Sequence, residues 1–142
     1  MQKKLLRHYL IINLPGIVAF IILYILVKFH VNMFLPVQQD WIQVIMMVAS
    51  GLFAVVLPVW YRILFVNRMK GKANTSKHRF MQFERDFLSL ASVSVYILVA
   101  GFIIALPRIP LSVMVLFVIY ALYFYFPSDK RIRSEKKIFR VE

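Results

Sequence analysis

The chain has no cysteine. Disulfides, zinc–thiolate sites and thiol nucleophiles are excluded together. Glycine occurs four times only, at Gly16, Gly51, Gly71 and Gly101, and never in a cluster. A glycine-rich phosphate loop therefore cannot form. The three histidines, His8, His30 and His78, are far apart, and no pair has the i, i+3 or i+4 spacing of a helical metal site. His8 and His78 could meet at one end of a bundle, but interfacial histidines with no metal are the plainer reading. Neither a histidine–glutamate protease motif nor clustered aspartates are present. No cofactor is expected.

Acidic residues are also scarce, six against eighteen Lys and Arg. None of the charged residues falls at the centre of an apolar stretch. Lys28, Asp40, Arg62, Glu84, Asp86 and Arg108 all sit at or near the ends. A proton- or ion-coupled transporter needs an ionisable group at membrane depth, so coupled transport is disfavoured. A serine nucleophile would need a base at the same depth, and the sequence offers none. The chain reads as non-enzymatic.

What the chain does have is apolar length. Of its 142 residues 61% are hydrophobic, with a mean hydropathy of +0.74. Four apolar stretches cover 9–29, 41–66, 87–106 and 110–126. At 1.5 Å per residue, about 20 residues cross a hydrocarbon core of about 30 Å. The fourth stretch is near the lower limit for a span. Sixteen of the eighteen basic residues lie before the first stretch, from the end of the second to the start of the third, or after the fourth. Short basic loops stay cytoplasmic. The expectation is an all-α membrane protein: four transmembrane helices as two antiparallel hairpins, both termini cytoplasmic, in a bacterial inner membrane. Met1 to Arg7 resembles the start of a signal peptide, but no small-residue cleavage site follows, so a retained first helix is expected.

The net charge of +12 is read as topology plus attraction to anionic headgroups, each basic residue near them being worth about 1 kcal/mol. Nucleic acid is not expected as a partner.

Local signals refine this plan. Pro15 and Pro58 should each disturb their helices, and Asn13 can satisfy groups freed by Pro15. Asp40 suits the start of helix two. Residues 67–86 form a cytoplasmic loop, with 70–76 the exposed polar part. Phe80, Phe83 and Phe87 share one helical face. Helix three thus either runs unbroken from about Ser76 or begins near Phe87 after a break at Asp86. Pro110 fits the first turn of helix four. The tail, 127–142, should contain a short basic helix capped by Ser128 and Asp129. It is expected at the membrane interface, with Ile132, Ile138 and Phe139 facing lipid.

Two groups of candidate residues emerge. Asn13, Gly16, Ser50, Gly51, Ala54, Ser89, Ser92, Gly101 and Ala105 have the small or polar character of close helix contacts in a membrane. Arg62, Arg79, Glu84, Arg85, Asp86, Lys130, Arg131, Arg133, Lys136 and Lys137 are candidates for contact with a protein partner or lipid headgroups. Glu84 could also reach Arg62 across the bundle. The function that follows is a non-enzymatic subunit or assembly component of a membrane complex, or a self-associating protein. An oligomeric carrier or pore for lipids or small molecules is the second reading.

Overall fold

The computed structural model describes residues 2–29, 40–69 and 76–139. The outer connection with His30 and Pro36, most of the 70–76 segment and the last three residues lie outside the described residues. Among those described, every regular element is a helix.

Helix α1 spans Gln2–Lys28 with Pro15 inside it. Pro15 has no N–H for the carbonyl of Ile11. Polar side chains supply additional donors on either side: Asn13 Nδ2 donates to the Tyr9 carbonyl at 3.0 Å, and the Tyr96 hydroxyl donates to that of Ile12.

The second apolar stretch is a composite. Helix α2 (Asp40–Gly51) passes into a π-helical turn (Leu52–Val56) and then α3 (Leu57–Met69). The sequence reading puts a bend at Pro58. The structure puts the irregularity in the turn before it, because the proline ring cannot coexist with a normally placed Ala54 carbonyl. The wider turn carries an i to i−5 bond from Leu57 N–H to the Leu52 carbonyl.

Helix α4 (Lys77–Ile103) is unbroken through Asp86, and the Ser76 hydroxyl caps it by accepting from Arg79 N–H at 3.4 Å. Its far end closes with two bonds, Ala105 N–H to the Phe102 carbonyl and Leu106 N–H to that of Gly101. This is a Schellman turn. Ala105 takes its left-handed position at φ 50°. Ala105, expected on a packing face, is instead an exposed turn residue.

Helix α5 (Arg108–Phe124) follows, then α6 (Asp129–Ile138), bent from α5 by 73°. Gln2–Lys28, Asp40–Met69 and Lys77–Ile103 are each long and apolar enough to cross a membrane, and α5 with α6 forms a fourth, bent candidate.

Helix α4 is the centre of the bundle. Half of its apolar window is buried, against 11% for α1 and 17% for Asp40–Met69. It packs on α1, α2, the π-turn, α3 and α5. Helices α4 and α5 form an antiparallel pair, whereas α1 does not pack extensively on the span expected as its hairpin partner. Among the described residues α1 packs chiefly on α4 and not on α2 or α3. Gly16 explains the preference: a Cβ there would lie 2.8 Å from Val95 Cγ1, so α1 meets α4 at a distance only glycine permits. Ser50 and Ala54 are fully buried, and Gly51 lies against the Phe117 ring.

Candidate functional site

Charged and aromatic side chains converge at the basic end, where α1 and α4 begin and α3 and α5 finish. The aromatic part comes first in the sequence logic. Phe80, Phe83 and Phe87 are all buried on one face of α4. Phe65 from α3 stacks on Phe83 with centroids 4.1 Å apart, and Tyr61 stacks on the same ring at 5.5 Å. Phe139 packs edge-on against Phe65 at 5.1 Å. These offset and edge contacts favour a fixed ring arrangement.

The last helix supplies the polar part. Ser128 caps α6 by accepting from Arg131 N–H at 3.3 Å. The last carbonyls of any helix lack partners within it, and here one arginine serves two just past the end of α5. Arg131 Nη1 donates to the Tyr125 carbonyl and, at 3.5 Å, to that of Phe126. Its Nη2 reaches Glu84 Oε2 at 2.6 Å, and its guanidinium lies 5.4 Å from the Phe87 ring centroid. Glu84 is completely buried. A second pair, Arg62 Nη2 to Glu135 Oε1 at 3.1 Å, is more open on the arginine side.

This arrangement corrects the reading of the tail. Ile132 and Phe139 are buried in the bundle core and do not face lipid; of the three apolar residues only Ile138 is exposed. The physical reason is that Ile132, Glu135 and Phe139 share one face of α6, and two ion pairs and three rings hold that face inward. The spacing was visible in the sequence as i, i+3 and i+7. Lys130, Arg133 and Lys137 lie exposed on the other side and Lys136 is half-buried. The ten charged candidates thus separate. Glu84 and Arg131 pair with each other, Arg62 takes Glu135, and Asp86 accepts from the Tyr61 hydroxyl at 3.0 Å. Arg79 and Arg85 are exposed.

An open cleft of about 520 Å³ lies beside these pairs. Arg62, Arg131, Glu135 and Ser128 form its polar wall, and Phe87, Leu122 and Phe126 contribute apolar surface. Three buried polar atoms nearby have no hydrogen-bond partner: Glu84 Oε1, Glu135 Oε2 and Tyr125 Oη.

The serines behave differently from a catalytic group. His8 Nε2 lies 3.1 Å from Ser89 Oγ, a neighbour the sequence reading did not find. The Ser89 hydroxyl itself donates to the Arg85 carbonyl at 2.9 Å. The imidazole is then the donor to the serine oxygen, the reverse of base activation. Ser92 similarly donates to the Leu88 carbonyl at 2.8 Å. Tyr9, also unanticipated, donates to the Leu122 carbonyl at 2.9 Å and ties α1 to α5. Among the described residues no group of three or more His, Asp or Glu could hold a metal ion. No family model, curated protein or solved structure matches this chain.

Proposed function

We propose that this chain is a small integral protein of a bacterial inner membrane, acting as a non-enzymatic subunit or assembly component of a membrane complex. The observation that carries the proposal is the uneven covering of its apolar helices. One helix is wrapped by the others, while α1 and α2–α3 keep most of their apolar surface free. An apolar groove of about 430 Å³ runs beside the π-turn, lined by Val55, Val56, Val59, Trp60 and Ile63. Such a concave strip suits a neighbouring transmembrane helix, from a partner or another copy. With both termini inside, the basic end faces the cytoplasm and anionic headgroups.

The test is crosslinking in native membranes through photoreactive residues at Val56 and Val59, followed by mass spectrometry. A recurrent protein adduct, or a self-adduct, is the expected outcome. Adducts with lipid alone would sink the proposal. Orientation is checked separately: a cysteine at Gln38 should label from outside and one at Lys72 should not. The carrier reading draws support from the cleft at the basic end; movement of labelled lipid between leaflets in vesicles containing the pure protein would favour it.

A further inference from the structure

The cleft at the basic end has a composition that neither helix packing nor topology requires. Its wall joins an apolar surface to Arg62, Arg131 and Glu135, and Glu84, buried behind Arg131 as its counter-charge, brings the formal sum of the four to zero. Glu135 is 8% exposed, and its Oε2 is enclosed without a partner while Oε1 holds Arg62. A buried carboxylate short of donors is costly, so Glu135, which lines the cleft, favours a group that brings an N–H or O–H. Arg62 commits one terminal nitrogen to Glu135, and its side chain is 37% exposed, leaving guanidinium edge available to an anion. The Ser128 oxygen accepts from Arg131 N–H, so its own proton can point into the cleft. Tyr123 at 85% and Phe124 at 49% exposure form the outer rim, so the cleft opens on the apolar flank of the bundle.

We infer that this cleft binds the headgroup of an aminophospholipid, with its phosphate on Arg62 and Ser128 and its primary ammonium on the Glu135 carboxylate. The inference goes beyond the subunit proposal and requires only that the chain is embedded with this end at headgroup level. A zwitterion matches the balanced charge of the wall, and a net anionic lipid does not. A choline headgroup carries the same charges but no N–H, so it cannot donate to the Glu135 carboxylate. The acyl chains continue along Leu122 and Phe126, surfaces a soluble metabolite would leave bare.

The experiment uses the full chain reconstituted in nanodiscs of phosphatidylcholine doped equally with phosphatidylethanolamine and phosphatidylglycerol. Retained lipid is read by native mass spectrometry after transfer to mild detergent. Failure to insert would count against the membrane reading itself and is scored before any lipid is counted. For inserted protein, retention of ethanolamine lipid over choline lipid by roughly tenfold is expected, the scale of one hydrogen bond to a charged group. Stepwise N-methylation of the headgroup should lower retention as N–H donors are removed. Glu135→Gln should bring the preference to within about twofold, while Lys137→Gln on the opposite face of α6 leaves it unchanged. Should the Glu135 variant fail to fold, the methylation series on the wild-type chain decides alone. Equal retention of ethanolamine and choline lipids overturns the inference, as does preference for phosphatidylglycerol. Competition by free phosphoethanolamine as effective as the intact lipid would assign the cleft to a soluble ligand and overturn the lipid.

Discussion

The basic end and the middle of the bundle are held together by opposite means. At the basic end large side chains fill the space between helices: stacked rings from α3 and α4, a tail helix carrying Ile132 and Phe139, and two ion pairs. In the middle, helices approach because side chains are missing, at Gly16 against Val95 and at Gly51 against Phe117. A membrane offers little hydrophobic drive for helices to associate within it, so close packing must supply the attraction there. On the proposed membrane placement the basic end lies outside the hydrocarbon, where aromatic burial and charge pairing become usable.

The sharpest way to break the basic end is to remove the charge at Glu84. Glu84→Gln leaves the Arg131 guanidinium without its counter-charge in a largely buried setting. A loss of about 3–5 kcal/mol is expected in reversible unfolding in detergent. Combining it with Arg131→Met should recover much of the loss, because both charges then leave together. A loss no larger than that of an exposed substitution would show that rings alone hold this end.

The middle is tested by adding volume. Gly16→Val forces a side chain against Val95 and should cost about 1–3 kcal/mol, with separation of α1 from α4 detectable as faster proteolysis. Val95→Ala in the same chain should restore part of it. At the end away from the charges, Ala105→Gly relieves a left-handed alanine and should stabilise by up to about 1 kcal/mol. The smallest effect belongs to the half-open pair. Glu135→Gln should change stability by about 0–1 kcal/mol because the arginine it leaves behind is already screened by solvent. A loss as large as that at Glu84 would mean the second pair is as enclosed as the first.

The helices were legible because apolar length and proline position are local properties. Ser128 was readable as a cap for the same reason, and Ser76 as one of two places where α4 could start. The partnership of Glu84 with Arg131 was not, since 47 residues separate them and Arg62 was an equally plausible neighbour in sequence. The inward turn of the tail was half legible. Its face carried both charge and oil, and six basic residues nearby drew the reading toward lipid. The pairing of α1 with α4 instead of α2 depended on which glycine met which valine, a property of two surfaces that no single stretch records.

The π-turn has a consequence for how the second span can vary. An α-helix advances about 100° per residue, so positions four apart drift by about 40° at each step. Ser50, Ala54, Pro58 and Arg62 are spaced by four, a series that would wind around an ideal helix and leave Arg62 well away from the side of Ser50. The wide turn absorbs one residue's worth of rotation and returns Arg62 to Glu135. Removing a single residue from 52–56 would therefore let the wide turn close to an ordinary α-helical one, with the segment beyond it keeping its phase. Straightening the turn with every residue kept would instead rotate Leu57 to Met69 as one piece by about 100°, carrying Arg62 away from Glu135. In this helix length and phase are separate variables, and five residues set the second without much altering the first.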